Sequence, residues 1–391
     1  MKAVQTGIEC LYAAPPAYLA GKRLGLLANP ASVDSRFRHS RRLIDHRFPG
    51  QLTALFSPQH GFFAEKQDNM ILSADRVDPV LNIPIFSLYG ETRQPNPSML
   101  DLIDTLIIDL QDVGTRVYTF IYTMALCMQA AARQGKQVVV LDRPNPIGGT
   151  MVEGNMVQAD LTSFVGMYPI PMRHGLTIGE LALLFNTVFG IGCNLEIVKM
   201  RGWMRHWYFS ETGLPWIPPS PNLPTAEAAT VYPGQVIWEA TNISEGRGTT
   251  QPFEIFGAPF IAPEEIEQTL GNQYLAGIHL RPIAFEPTSN KWRESLCYGF
   301  QLHVLDRHQY RPYISALAIL KAVHHLYPER LAWKPPPYEF EYEKRPFDLI
   351  TGDRSVRETI ERNGSLNALG LNWEKDLKRF DEMRKAVFLY R

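Results

Sequence analysis

Polar residues able to take part in catalysis follow several short apolar segments in the first half of the chain. They lie in the stretches SPQHGFFAEKQDNM, ETRQP, DVGTRVYTF and PNPIGGTMVEGN. Loops tolerate bland residues, so this concentration of His, Glu, Asp, Arg, Tyr and Asn favours a binding or catalytic site. The candidates within these stretches are Gln59, His60, Glu65, Glu91, Arg116, Tyr118, Asn145 and Glu153, and those next to the third stretch are Asp109, Gln111 and Tyr122.

A second group lies in the segment TNISEGRGTTQPFEIFGAP, residues 241–259. This segment places Glu245, Arg247 and Thr250 among glycines. Because glycine has no side chain, the backbone here can approach a ligand closely. The competing structural interpretation is a hairpin with a surface ion pair, which is common and contributes little energy.

Several residues of the first group also have structural interpretations. Asp109, together with Asp112 and Arg116, could form a buried charged network. Asn145 lies in Asp-Arg-Pro-Asn-Pro, which is typical of a turn. The remaining structural alternatives are packing of Tyr118 and Tyr122 against a sheet and a loop-capping role for His60.

The sequence lacks the fingerprints of several other chemistries. Neither a G-x-G-x-x-G after a strand nor a G-x-x-x-x-G-K-[ST] occurs, which argues against nucleotide binding. Esterase and zinc-peptidase motifs are also absent. Glycoside hydrolysis usually needs one carboxylic acid and a second carboxylate, although in some families the acetamido group of the substrate attacks instead. Carboxylates available for this work are Glu65, Glu91, Glu153 and Glu245, and neither a cofactor nor a metal ion is expected.

The apolar segments before the polar loops predict the strands of a mostly parallel sheet. They are nearly continuous in Val, Ile and Leu, as in strands covered by helices on both faces. Ligands of open α/β sheets bind beyond the carboxyl ends of the strands, where the first group of candidates lies. The predicted strands are RLGLLAN from Arg23, LTALFS from Leu52, IPIFSLYG from Ile83, TLIIDLQ from Thr105 and KQVVVLDR from Lys136.

Helical patterns fill the gaps between these strands. Apolar residues recur at helical spacing from Tyr118 to Gln134, and Thr177 with Glu180 has the spacing of a capping box. The proline-rich passage 214–225 predicts an ordered loop that could wall a cleft. We therefore predict an α/β fold with a Rossmann-like domain at 1–200 and a smaller α+β domain at 201–391 that closes the cleft.

Composition narrows the partners and the compartment. The chain has 391 residues, a formal net charge of −1 and 45% hydrophobic residues, so nucleic acid and anionic membrane are not expected as partners. Glu9 and a proline pair interrupt any signal-peptide core, which predicts a cytoplasmic protein for the sequence as given. An extracytoplasmic location is the expectation if the sequence has been trimmed.

Seven segments together carry a resemblance to a known family. They are SPQHGF, SLYGETRQP, DLQDVGTRVYT, VLDRPNPIGG, VEGN, SFVGMYPIPMRHGLTIGEL and SEGRGTTQPFE. In order and spacing they resemble the NamZ-type exo-β-N-acetylmuramidases, glycoside hydrolase family 171, over nearly the whole chain. The resemblance implies a bacterial enzyme of cell-wall recycling, without metal or nucleotide, that releases N-acetylmuramic acid from the non-reducing end of peptidoglycan fragments.

One position departs from the family pattern. The family's strand-end motif commonly reads Pro-Glu-His-Gly-Phe, with the glutamate a favoured catalytic carboxylate, whereas this chain has Gln59 there. An amide cannot act as a general acid or base. Three explanations compete: Glu65 takes over the role, a different glutamate such as Glu245 is the acid, or the activity is altered or lost.

Our hypothesis from the sequence is that Glu245 and Glu65 form the catalytic pair. Arg247 is then the partner of the lactyl carboxylate, because an arginine fork suits a carboxylate. The other assigned substrate-binding residues are Gln59, His60, Glu91, Asp109, Gln111, Arg116, Tyr118, Tyr122, Asn145, Glu153 and Thr250. The main alternative is a non-catalytic or altered-specificity muropeptide-binding or sugar-binding protein, and a weaker one is a transferase using a nucleotide sugar.

Overall fold

The computed structural model describes residues 3–391, and a seven-stranded sheet forms the core of their first half. The strand order is β3-β4-β2-β1-β5-β6-β7, with β3 antiparallel at one edge and the other pairs parallel. Without β3 this is the strand order of a Rossmann fold, as predicted. The strands are β1 (Leu24–Ala28), β2 (Leu52–Ser57), β3 (Arg76–Val77), β4 (Pro84–Ser87), β5 (Thr105–Asp109), β6 (Gln137–Leu141) and β7 (Asn194–Val198).

Helices cover both faces of this sheet. Alternate residues of a strand point to opposite faces, so Ile107 packs in the cluster under one pair of helices and Ile108 in the cluster on the other face. The predicted helix after β5 and the predicted capping box between Thr177 and Glu180 are both present. The helices of this half are α1 (Gly7–Ala13), α2 (Ser40–Arg47), α3 (Pro97–Leu100), α4 (Phe120–Arg133) and α5 (Ile178–Leu183).

The second half contains a three-stranded antiparallel sheet with the order β8-β10-β9. Two of its helices approach closely at Gly234, where a methyl group in place of the glycine hydrogen would lie 2.1 Å from the carbonyl oxygen of Pro312. The strands are β8 (Ile255–Ala258), β9 (Ile278–Phe285) and β10 (Cys297–Val304). The helices are α6 (Ala226–Gln235), α7 (Pro263–Thr269), α8 (Pro312–Leu326), α9 (Pro346–Thr351), α10 (Arg354–Glu361) and α11 (Leu366–Lys385).

Arg116, predicted to bind substrate, instead joins the two halves. Its guanidinium is fully buried and donates to four carbonyl oxygens. Two belong to Asn155 and Ile170 and two to Ile350 and Thr351, at distances of 2.5 to 3.1 Å. Because these bonds use both terminal nitrogens, Arg116 has a structural role, and one hydrophobic core runs through both halves.

The segment that follows α11 returns to the first half. The backbone N–H of Leu389 donates to Glu180 at 2.8 Å, and the hydroxyl of Tyr390 donates to Asp142 at 2.6 Å. Arg205 forms an ion pair with the same Glu180. Residues 384–391 therefore fasten the second half to β6 and α5. Within the part of the chain that the structure describes, every helix is too short or too polar to cross a membrane.

Candidate active site

A cavity lies beyond the carboxyl ends of β2 and β5, between the two halves of the molecule. It comprises about 440 Å³ of space, including open solvent at its mouth. The proline-rich passage 214–225 supplies part of the wall, as predicted. The polar and aromatic lining consists of Gln59, His60, Asn69, Tyr118, Thr119, Phe120, Ser220, Asn222, Tyr232, Glu239, Arg247, Phe253, Tyr338 and Glu339.

Glu339 is a buried carboxyl group of the cavity that is well placed to hold a proton. The Tyr89 hydroxyl donates to its Oε2 at 2.6 Å, and the Gln59 side-chain amide donates to its Oε1 at 3.1 Å. Burial raises the pKa of Glu339, and the charge of Glu239 raises it further against the effect of these hydrogen bonds. A carboxyl group with a raised pKa keeps its proton at a pH where ordinary glutamates have lost it, which suits a general acid.

Gln59 sets the direction of this carboxyl group. The Thr119 hydroxyl donates to Gln59 Oε1 at 2.6 Å, so the amide nitrogen points toward Glu339 and the Tyr89 oxygen. The ring of Tyr89 is itself held by the guanidinium of Arg93, 3.9 Å from its centroid. The amide of Gln59 therefore positions the carboxyl group of Glu339.

Glu239 is the second carboxylate of the cavity. It accepts from Arg247 Nη2 at 2.6 Å on one oxygen. The other oxygen accepts from the Tyr338 hydroxyl at 2.6 Å and from Asn69 Nδ2 at 3.0 Å. Three donors, one of them charged, suit an ionised carboxylate. The cavity thus combines a carboxyl group with a raised pKa and an ion-paired carboxylate.

Glu245, predicted to be catalytic, lies behind Arg247 and does not line the cavity. Its oxygens are 3.0 Å from Arg247 Nε and 2.7 Å from Lys291 Nζ. Burial opposes ionisation, but the charges of Lys291 and Arg247 prevail and lower the pKa of Glu245. A buried carboxylate with a lowered pKa is a poor proton donor, so this geometry gives Glu245 the task of positioning Arg247.

The imidazole of His60 faces the cavity in its neutral form. Its Nδ1 lies 2.7 Å from the carbonyl oxygen of Lys66, and burial lowers the pKa of His60 to about 4. Three lining residues, His60, Phe253 and Glu339, have φ values of 74°, 65° and 47°. Left-handed backbone costs about 1–3 kcal/mol at a residue other than glycine and clusters at functional sites.

Four of the predicted residues thus meet in the cavity: Gln59, His60, Tyr118 and Arg247. The other carboxylate of the predicted catalytic pair, Glu65, lies on the surface, 3.2 Å from Arg76, and does not meet Glu245. Glu91 and Thr250 are also exposed and outside the cavity lining.

The remaining predicted residues are buried elsewhere and are used by the fold. Asp109 is paired with Arg143, whose Nη2 lies 2.8 Å away. Glu153 accepts from the N–H of Ile314 at 2.9 Å in the first turn of α8. The others also lie outside the cavity lining: Gln111 donates to the Pro144 carbonyl, Asn145 donates to the Leu176 carbonyl, and Tyr122 is buried in α4.

Neither carboxylate of the cavity is among the residues predicted from the sequence. Glu239 precedes the glycine-rich segment by only two residues, so a slightly wider window would have included it. Glu339 follows three consecutive prolines, a composition like that of the passage that lines the cavity. Asn69 and Thr119 lie in polar segments singled out from the sequence but were not themselves predicted, and Tyr338 belongs to no such segment. Folding brings Asn69 and Tyr338 to Glu239 and Thr119 to Gln59.

The fold and this cavity define an α/β protein whose site between the two halves holds two carboxyl groups, an arrangement found among glycosidases. Models of the N-terminal and C-terminal parts of the exo-β-N-acetylmuramidase NamZ match residues 24–227 and 230–390. The chain belongs to the NamZ exo-β-N-acetylmuramidase family.

Individual relatives agree with this assignment. The peptidoglycan β-N-acetylmuramidase NamZ of Bacillus subtilis (strain 168) is 44% identical over 388 residues, which cover 99% of this chain and 91% of that protein. A crystal structure of a DUF1343 family protein from Bacteroides fragilis matches with a TM-score of 0.89 and 35% identity, covering 100% of this chain and 99% of the other. The crystal structure of a second DUF1343 family protein from Bacteroides fragilis matches with a TM-score of 0.78 and 30% identity, and it too covers 100% of this chain and 99% of the other.

Proposed function

We propose that this protein is a glycosidase that releases N-acetylmuramic acid from the non-reducing end of peptidoglycan fragments. The observation that carries the proposal is the match to the family over nearly the entire chain, together with 44% identity to a peptidoglycan β-N-acetylmuramidase.

In this proposal Glu339 is the general acid. It donates its proton to the glycosidic oxygen while the bond from that oxygen to C1 breaks and the electron pair stays on the leaving sugar. The carboxylate of Glu239 stabilises the positive charge that develops at C1. Water then forms the new bond to C1, and a proton from that water restores the acid form of Glu339.

Arg247 is the proposed partner of the lactyl carboxylate, as the sequence suggested. Its Nε and Nη2 are occupied by Glu245 and Glu239. Its Nη1 makes no hydrogen bond within residues 3–391 and lies 3.7 Å from Asp68. One donor of the guanidinium is thus left for an anionic ligand, and the carboxylates on its other side hold it in place.

The test is hydrolysis of a chromogenic β-N-acetylmuramic acid glycoside, compared with the matching N-acetylglucosamine glycoside and with the muramic compound esterified at its lactyl carboxylate. We expect release from the free muramic compound alone, because only it offers an anion to Arg247. Equal release from all three would refute the lactyl recognition. No release from any of them would refute the enzyme and leave a binding protein.

A further inference from the structure

A surface groove lies between α1 and α2, outside the cavity just described. It encloses about 890 Å³, including open solvent. Its lining contains three arginines, two histidines and three apolar or aromatic residues, and no carboxylate among the described residues takes part. The lining residues are Tyr12, Phe37, Arg38, His39, Arg41, Arg42, Leu43 and His46.

The positive charge of this groove stands out against the rest of the chain. Residues 36–47 contain five arginines and one aspartate, whereas the whole protein has a formal net charge of −1. Arg38 and Arg41 are paired with the buried Asp34 and Asp78. Arg42 is exposed and forms no ion pair within residues 3–391. Its charge is available to a ligand.

Carboxylates near the groove reduce this charge without removing it. Asp45 belongs to α2 itself and is only partly exposed. Glu9 of α1 is engaged by the Ser35 hydroxyl and the Thr6 backbone N–H. Neither of them lines the groove, so a ligand lying in it would meet mainly guanidinium and imidazole groups.

Exposed aromatic rings accompany the arginines. Phe37 is 65% exposed and lies in the groove, and Phe63 is 45% exposed beside it. The guanidinium of Arg41 lies 5.5 Å from the ring centroid of Phe63, and that of Arg38 lies 5.5 Å from the ring of Tyr12. These contacts fix the rings as flat apolar surfaces beside positive charges.

A single loop connects the groove with the cavity. Gln59 and His60 line the cavity, and three residues later the same loop reaches Phe63. The ring of Phe62 packs against His39 of the groove, with 5.5 Å between ring centroids. The groove and the cavity therefore lie on the two sides of this loop.

We infer that the groove binds the glycan chain whose terminal sugar occupies the cavity. This inference rests on the proposed function and extends it to the rest of the substrate. The lactyl carboxyl group of N-acetylmuramic acid forms an amide with the peptide where one is attached. Once the peptides have been removed, every N-acetylmuramic acid residue carries a free lactyl carboxylate, so a peptide-free glycan strand is a polyanion. Guanidinium groups pair with such carboxylates, and the exposed rings offer apolar faces to the sugars. The preferred substrates are then long fragments rather than disaccharides.

The experiment compares a glycan of several disaccharide repeats with the short chromogenic muramic glycoside. The variants are Arg42→Gln and Arg42→Glu, with Arg379→Gln and Arg379→Glu on the exposed face of α11 as the control of equal charge change. On the long glycan at low ionic strength we expect kcat/KM to fall about threefold for the neutral variant and about tenfold for the reversed charge. Raised salt should shrink these differences.

The short substrate separates this inference from the proposed function. Its turnover should be the same in wild type, both Arg42 variants and the control, because it does not reach the groove. Equal turnover of the long glycan by wild type and Arg42→Glu would overturn the inference, as would equal losses on both substrates. If Arg42→Glu weakened binding of an oligonucleotide but left glycan turnover intact, the groove would belong to a different polyanion and the inference would fail.

If the wild-type protein cleaved neither substrate, the proposed function would fail first. Cosedimentation with insoluble peptide-free glycan strands would still test the groove in that case. Loss of cosedimentation in Arg42→Glu but not in Arg379→Glu would support the groove as a glycan-binding surface, and equal cosedimentation of all variants would overturn it.

Discussion

At the scale of single residues, the site places a carboxyl group with a raised pKa beside an ion-paired carboxylate. Glu339 is buried under Tyr89 and Gln59, while Glu239 is surrounded by donors that include Arg247. In a pair of neighbouring carboxyl groups, the one whose surroundings raise its pKa is usually assigned as the general acid. The amide of Gln59 is compatible with this scheme because it is a donor to the acid.

Substitution of Glu339 by Gln tests this assignment directly. The amide has nearly the same shape but no proton to donate to the leaving oxygen, so we expect kcat on the muramic glycoside to fall about 10²- to 10⁴-fold. Thermal unfolding should change little, since Gln can still accept from Tyr89. Glu65→Gln, on the surface, is the matched control and should retain wild-type turnover. An active Glu339→Gln enzyme would exclude the assignment.

The sequence identified one side of the site better than the other. Gln59, His60 and Tyr118 follow predicted strands, and the rule that ligands bind at strand ends was sufficient to find them. Glu339 makes its contacts with residues 250 and 280 positions earlier in the chain. No local pattern encodes such a separation. Glu245 has the right residue type in a glycine-rich loop, but the positions of Lys291 and Arg247 decide its role.

At the scale of elements, the strongest sequence signals were the strands buried on both faces. All five predicted segments contain strands of the large sheet. Nearly continuous apolar runs of this length are typical of strands that helices cover on both faces. The edge strand β7 was not predicted. Its residues are mostly half-buried or exposed, so Asn194 and Glu196 interrupt the apolar pattern.

The crossing of α6 and α8 makes a prediction at this scale. In Gly234→Ala the new methyl group would meet the backbone oxygen of Pro312 at 2.1 Å, which a side-chain movement cannot relieve. We expect a loss of about 1–3 kcal/mol in the free energy of unfolding, measured by urea denaturation. Gly370→Ala in α11, where nothing lies within 4 Å, should instead stabilise by about 0.5–1 kcal/mol. A change in the free energy of unfolding of the same sign in both variants would contradict the close packing of α6 against α8 as the cause.

At the scale of the whole molecule, the contact between Asp142 and Tyr390 joins the two halves and responds to pH. Burial raises the pKa of Asp142 to about 7, so between about pH 4 and pH 7 the folded protein holds a proton here that the unfolded chain has released. Stability from this group is therefore present at low pH and is lost as the pH rises toward 7.

The variant Asp142→Asn should remove this part of the pH dependence. From pH 5 to pH 7 the wild type should lose about 2 to 3 kcal/mol of unfolding free energy that the variant does not lose. The asparagine imitates the protonated acid at every pH. The free energy of unfolding of the variant should therefore fall further below that of the wild type at pH 5 than at pH 7. Denaturation curves of both proteins at the two pH values provide the measurement. Parallel losses in both proteins would show that Asp142 is not the group responsible.

The fastening of residues 384–391 onto β6 and α5 also has a consequence for biosynthesis. Translation delivers Asp142 and Glu180 to the exit of the ribosome some 200 residues before Leu389 and Tyr390. During that interval the nascent first half exposes polar groups and core surface that only the later segment covers. The Rossmann-like half can therefore complete these contacts only after Leu389 and Tyr390 have been synthesised.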